Sequence, residues 1–147
     1  MGQLILPKSG SIYIDTSMAI YTIEGNPDYY SLLQPLWYKF YAGEIKIISS
    51  ELILMEVLVV PLRNCNNSLV ADYEKLLLSS KVQLISISQS ILRQAANLRA
   101  TINIKTPDAI HAATALSVNS NQFITNDKSF RNVPGLPVVI LSEVLAS

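Results

Sequence analysis

Ser11-Ile12-Tyr13-Ile14-Asp15 is a short run of apolar and β-branched residues that stops on an acid, followed at once by Thr16-Ser17 and a segment of helical period. The run lacks the polar alternation of a strand with one wet face and reads as a strand covered on both sides. Similar runs recur at Ile45 to Ile48, Val82 to Ile87, Gln122 to Thr125 and Val138 to Leu141. Between them the spacing of apolar residues predicts helices over Ser17 to Glu24, Tyr29 to Ala42, Glu51 to Val60, Ser68 to Ser79, Gln89 to Thr101 and Pro107 to Val118. Gly25 and Gly43 stand where the first two of these should end. Strands alternating with helices predict an α/β domain, with helical layers on both faces of a central, mainly parallel sheet of about five strands.

The chain has 147 residues, half of them apolar, which suits one domain with a substantial core and gives the expectation of a single domain over 1–147. Lys plus Arg and Asp plus Glu both number 11, so no broad basic field is present and any nucleic-acid contact must be local. The single cysteine, Cys65, has no internal partner for a disulfide, and one Cys with one His does not make a structural zinc site. A reducing, cytoplasmic location is the expectation. The apolar stretch at the N-terminus is too short for a signal peptide, and no apolar run reaches membrane-spanning length.

Asp15 ends the first strand and Asp127 follows the strand Gln122 to Thr125, so both are expected at carboxyl ends of strands, where open parallel sheets bind ligands. Asp108 stands in Lys105-Thr106-Pro107-Asp108-Ala109-Ile110-His111, which has the marks of a helix start: Thr106 as a cap, Pro107 in the first turn, and an acid at the positive end of the helix. Each of the three has an ordinary explanation as a turn or cap residue. Their convergence on one edge is what singles them out. Glu56 is the only charge within Leu52 to Val60. A carboxylate on so apolar a helix needs a hydrogen-bond partner, a cation or a raised pKa. Glu51 reads as a simple N-terminal charge.

Hard oxygen donors with few nitrogen or sulfur ligands favour Mg²⁺ or Mn²⁺, ions suited to phosphodiester chemistry. The chain has no P-loop and no Gly-x-Ser-x-Gly elbow, and offers one histidine, His111, as a base. His111 follows Asp108 by one helical turn and reads as a structural hydrogen-bonding group more than as a proton carrier. Arg93, Arg99, Lys105, Lys128 and Arg131 are candidates for phosphate contact. The aromatic group Trp37-Tyr38-Lys39-Phe40-Tyr41, with Tyr29 and Tyr30, is assigned to the core or to contact with a partner.

Ile14-Asp15-Thr16-Ser17, the isolated Glu56, Thr106-Pro107-Asp108-Ala109-Ile110-His111-Ala112-Ala113-Thr114-Ala115 and Phe123-Ile124-Thr125-Asn126-Asp127-Lys128-Ser129-Phe130 resemble, in order and spacing, the successive signatures of PIN-domain nucleases. The chain is most similar to the VapC-type toxins of toxin-antitoxin pairs. The resemblance implies a PIN-like three-layer fold and a Mg²⁺-dependent endoribonuclease, with Mn²⁺ able to substitute, inhibited by a cognate antitoxin and usually dimeric. It implies Asp15 and Asp108 as the direct metal ligands, Glu56 and Asp127 acting through water, and Ser17 and Thr125 in support. The Ser17 hydroxyl suits an acidic neighbour or a metal water as well as it suits capping of the first helix. Phosphatases and receiver domains with an aspartate at the end of their first strand are less similar, since the former want a second acid where Ser17 stands and the latter adjacent acids and a late lysine. A catalytically silent PIN-like binding module is the remaining alternative.

Overall fold

The computed structural model describes residues 2–147. Five strands, β1 (Ser11–Ile14), β2 (Lys46–Ser50), β3 (Gln83–Ile85), β4 (Gln122–Thr125) and β5 (Val138–Ile140), form one sheet in the order β3-β2-β1-β4-β5. Every pairing is parallel. The first strand thus lies at the centre, with Tyr13 opposite Ile48 on one side and Phe123 on the other.

Seven helices connect and cover the strands: α1 (Thr16–Ile23), α2 (Tyr30–Tyr41), α3 (Leu52–Arg63), α4 (Asn67–Leu78), α5 (Gln89–Thr101), α6 (Thr106–Ser117) and α7 (Leu141–Ala146). A 3₁₀ turn spans Lys128–Asn132. The period-two geometry of the strands sends alternate side chains to opposite faces. Ile12, Ile14, Ile47 and Ile124 meet Leu33, Leu36, Ile53 and Leu77 of α2, α3 and α4 on one face. Tyr13, Ile48 and Phe123 meet Ile91, Ala95, Ala109 and Ala112 of α5 and α6 on the other. This is the expected α/β architecture, with parallel strands lacking polar alternation because both faces are covered.

Differences from the sequence reading lie mainly at element ends and in the last quarter of the chain. Helix α3 runs through Pro61 to Arg63, although the proline has no N–H to give the Val57 carbonyl. The 3₁₀ turn and α7 have too few residues to show a period. Thr106 does not cap α6: Lys105 holds the cap position, and the Thr106 hydroxyl accepts from Arg99 Nη1 at 2.7 Å. Gly25 and Gly43 do follow α1 and α2, with φ of 64° and 77°, the left-handed backbone that glycine adopts at least cost.

The aromatic group on α2 divides by helical position. Trp37 and Phe40 are buried, and the Trp37 indole donates to Thr22 Oγ1 at 2.8 Å. Tyr38 and Tyr41 stand in solvent, as do Met55, Val59, Val60 and Leu62 of α3. No helix among the described residues is long and apolar enough to cross a membrane.

Candidate active site

Order β3-β2-β1-β4-β5 makes the chain leave β1 toward one side of the sheet and return to the other at β4. The segments leaving the adjacent ends of β1 and β4, α1 and the 3₁₀ turn, therefore lead to opposite sides, and the crevice between them opens at the carboxyl edge. An open cavity of about 590 Å³ lies there, and Asp15, Glu56, Asp108 and Asp127 all line it. Asp15 holds the position before α1, just past β1, without capping the helix through its side chain, and Asp127 caps the 3₁₀ turn just past β4. Asp108 is in the first turn of α6, and Glu56 is on the middle of α3. The four acids, far apart in sequence, meet in one place. Another cavity of about 470 Å³, walled by Ile23, Phe40, Tyr41 and Leu76, has Asp72 as the one acid in its lining.

Asp15 is the most constrained. It is buried, with Ser17 Oγ donating to one carboxylate oxygen at 2.6 Å and Thr125 Oγ1 to the other at 2.5 Å. Ser17 thus serves its acidic neighbour and does not cap the helix. Thr125 in turn accepts from the Asp127 backbone N–H at 3.0 Å, which ties the two strand ends together. Burial pushes the Asp15 pKa up, against the opposing hydrogen bonds from Ser17 and Thr125 and the attraction of His111.

Asp108 is also raised, first by burial and then by repulsion from Asp127, with His111 opposing and Asp15 and Glu56 adding to the rise. Glu56 goes the other way. Burial raises it, but hydrogen bonds from His111 and Thr16, with the attraction of His111, outweigh that and hold it below the ordinary carboxylate range. Thr16 Oγ1 and His111 Nε2 both stand 2.6 Å from Glu56 Oε1. This answers the demand that a carboxylate among apolar neighbours makes for a partner. Asp127 is exposed, and one of its oxygens accepts from the Ser129 backbone N–H at 2.9 Å.

Thr16, Tyr21 and Asn126, which sequence reasoning passed over, also line the cavity. Asn126 Nδ2 donates to the Tyr21 hydroxyl at 3.2 Å while its Oδ1 accepts from the Ser142 N–H at 2.8 Å. Thr16 stands beside Asp15 in the quoted motif, yet nothing in the sequence shows that it reaches Glu56, 40 positions on. His111 is buried and hydrogen-bonded within the structure, as expected. Of the candidate phosphate ligands, Lys128 lines the cavity. Arg131 is held by the Glu143 carboxylate through two guanidinium N–H groups, and Arg99 by Thr106 and the Ile104 carbonyl.

Among the described residues, no three His, Cys, Asp or Glu side chains enclose a metal ion by themselves. Mg²⁺ does not require such a cage, since it binds through one or two carboxylates, keeps several waters and takes further oxygens from a phosphate substrate. The donor set fits that pattern: the acids supply only hard oxygens, and Asp108 feels the charge of the other three. A cation would relieve that repulsion.

The raised carboxyls have a measurable consequence. Above 3.8, the ordinary value for both Asp15 and Asp108, the folded protein retains protons that the unfolded chain has released. Stability of the metal-free protein should therefore increase as pH falls from neutrality to about pH 5. Glu56 has the opposite sign, and its contribution is lost only as pH falls below 4.5 and through its depressed folded value. Thermal melts in chelator across this range test the expectation; a melting temperature that falls steadily from neutrality downward would contradict it.

Residues 12–136 match the PIN domain family. The chain belongs to the PIN-domain family. Solved structures of similar fold include VapBC2 from Rickettsia felis bound to a DNA fragment from its promoter, at 20% identity and a TM-score of 0.70 over 88% of this chain and 98% of the other. A toxin-antitoxin complex from Klebsiella pneumoniae is 26% identical, with a TM-score of 0.62 over 87% and 95% of the two chains. Mycobacterium tuberculosis VapC20, a sarcin-ricin loop cleaving toxin, is 18% identical, with a TM-score of 0.68 over 82% and 93%. Comparison with curated proteins gives no significant match. PIN-domain toxins of the VapC type are nucleases in general, and PIN-domain nucleases generally use divalent metals. This PIN domain shares their fold and brings its acids to one edge.

Proposed function

We propose that this chain acts, as one PIN domain over 1–147, as a Mg²⁺-dependent endoribonuclease in which Mn²⁺ can substitute, and that it is the toxin of a toxin-antitoxin pair. The observation that carries the reading is the meeting of Asp15, Glu56, Asp108 and Asp127 in one cavity at the carboxyl edge of the sheet. Asp15 and Asp108 would hold the ion directly, with Glu56 and Asp127 reaching it through water. When bound, the ion would lower the pKa of a water for attack on phosphorus and neutralise charge on the phosphate oxygens. Ser17 and Thr125 hold both oxygens of Asp15 in a fixed plane. Glu56, with Oε1 already taken by two donors, keeps Oε2 free to orient a water and accept its proton. Lys128, lining the same cavity, would meet a backbone phosphate.

RNA as substrate is supported by VapC20, whose name describes cleavage of the sarcin-ricin loop. An antitoxin partner is supported by the complexes of like fold. The exposed apolar side chains Met55, Val59 and Leu62, spaced along one face of α3, and Tyr38 and Tyr41 on α2 offer surface for an antitoxin or for a homodimer. Such a toxin would work in the cytoplasm.

The test is cleavage of labelled RNA by purified, antitoxin-free protein. Activity should be lost in chelator and return with Mg²⁺ or Mn²⁺. Cleavage that persists undiminished in chelator would overturn the metal-dependent mechanism, and failure to cut RNA with any divalent ion would overturn the ribonuclease reading.

A further inference from the structure

Helix α1 turns one face to the acidic cavity: Ser17, Ile20 and Tyr21 all line it, at the spacing of neighbours on one side of a helix. Ser17 gives its hydroxyl to Asp15, whereas Tyr21 makes no hydrogen bond to any of the acids. Its side chain is nonetheless held at both ends. The ring packs against Tyr29, with centroids 4.8 Å apart and planes tilted by 30°. Tyr29 is itself set by a turn in which Asn26 Oδ1 accepts from the backbone N–H groups of Asp28 and Tyr29, at 2.9 and 3.1 Å. At the tip, Asn126 Nδ2 stands 3.2 Å from the Tyr21 hydroxyl.

The orientation of that amide is not free. The Ser142 backbone N–H can only donate, so the Asn126 atom 2.8 Å from it has to be the oxygen, and the group facing Tyr21 has to be the NH₂. An amide NH₂ only donates in its turn, which makes the Tyr21 oxygen the acceptor. The phenol O–H therefore points away from Asn126, and among the described residues no carbonyl or side chain receives it. A donor held at ring and tip stands in the cavity wall with nothing in the protein to donate to.

What enters the cavity has to supply the acceptor. Lys128 in the same wall adds a positive charge, and an O–H with an ammonium group suits phosphate oxygens. Tyrosine is among the side chains that bind nucleic-acid backbones through phosphate and sugar. The scissile phosphate belongs to the acids and their ion, which leaves the neighbouring one to Tyr21. We infer that Tyr21 is a substrate-binding residue whose hydroxyl donates to a non-bridging oxygen of the phosphate next to the scissile one. The inference rests on the ribonuclease reading. Such a contact carries no base information, so Tyr21 sets the register of the strand over the acids and leaves sequence preference to other groups.

The test pairs a variant with a modified substrate. Tyr21→Phe keeps the ring on Tyr29 and removes the O–H alone; Asn126 is left facing the cavity, where its NH₂ can take a water. The substrate is a short RNA with one cleavable bond and a methylphosphonate placed singly on either side of it, which exchanges a charged oxygen for a methyl group. Each methylphosphonate is carried on a deoxynucleotide, and the control RNA has the same deoxynucleotide with an ordinary phosphate. On the control, Tyr21→Phe should lower kcat/KM about 10–100-fold, the scale of one hydrogen bond to a charged group. One flanking methylphosphonate isomer should cost the wild-type protein at least as much. The same isomer should cost Tyr21→Phe less, by the factor that the variant itself has lost. Mn²⁺ affinity, measured by calorimetry without RNA, should be equal in the two proteins, and the relative rates on different RNA sequences should not change.

Tyr21→Phe that cuts as fast as the wild-type protein would overturn the inference. So would methylphosphonate penalties that are equal in both proteins, since the contact would then belong to another group such as Lys128. A lowered Mn²⁺ affinity in Tyr21→Phe would place its effect on the metal site and overturn the substrate contact. The scan with wild-type protein needs no variant, and the absence of a penalty at both flanking linkages is decisive against the inference by itself. RNA that is bound but not cut sinks the ribonuclease reading alone, and the same cycle read as binding by fluorescence anisotropy still decides the contact. RNA neither bound nor cut overturns both.

Discussion

Asp15→Asn is expected to lower RNA cleavage by at least about 10³-fold, the scale on which loss of one member of a catalytic unit is felt, while the metal-free protein becomes more stable. Both effects have the same origin. Asp15 is a buried carboxylate in a cavity shared with three other acids, and burial raises its pKa in spite of the hydroxyls of Ser17 and Thr125. Asparagine removes the charge and stays compatible with both neighbours, because a Ser or Thr hydroxyl can turn to accept from the amide as readily as it donates to a carbonyl. The variant should melt about 2–4 °C higher for each kcal/mol of relieved strain and show less of the stabilisation on mild acidification described above. Metal affinity should fall together with activity. A variant that retains activity would remove Asp15 from the metal site; one that is inactive and also less stable would show that the charge supports the fold.

Phe123→Ala should cost about 3–5 kcal/mol of stability, the range seen when a buried aromatic ring is removed and the space cannot close. Phe123 is fully buried between Tyr13, stacked at 5.0 Å, and Phe130, at 4.6 Å. Its neighbours are rings and rigid parallel strands, which relax little into a gap. Against a total stability of roughly 5–15 kcal/mol, the loss would leave much of the protein unfolded in mild denaturant. Urea titration followed by circular dichroism measures it, and an unmoved midpoint would show that the aromatic stack is not a main support of the sheet.

The strands were legible because they are buried on both faces: with helices above and below, consecutive residues such as Ile12, Tyr13 and Ile14, or Phe123 and Ile124, have to be apolar without alternation, and this is visible in a single sequence. The same logic exposed Glu56, which stands out because every neighbour on its helix is apolar. Asp15, Asp108 and Asp127 were legible through the parallel topology that collects strand ends at one edge. Partner identity was not. That Glu56 is satisfied by His111 and Thr16 depends on how α3 crosses α1 and α6, a matter of packing angle that periodicity does not encode. Arg131 looked available for phosphate because Glu143 sits on α7, whose six residues are too few to reveal a helix in sequence. Thr106 looked like a cap because Thr-Pro-Asp suits a helix start, yet the nearby Arg99 guanidinium takes its hydroxyl.

The bond from Thr125 to Asp15 joins residues 110 positions apart. Asp15 comes from the first strand to be synthesised, whereas Asp108, His111, Thr125 and Asp127 come from the last third of the chain. A ribosome-bound chain that has not yet delivered β4 holds the first acid without most of its companions and without the hydroxyl that fixes it. The central strand also waits for a neighbour that arrives late, so pairing is non-local and completion of the sheet is slow relative to formation of its helices. If the chain is the nuclease proposed above, this order would keep it inert until the finished polypeptide closes on itself and brings the late acids to the first.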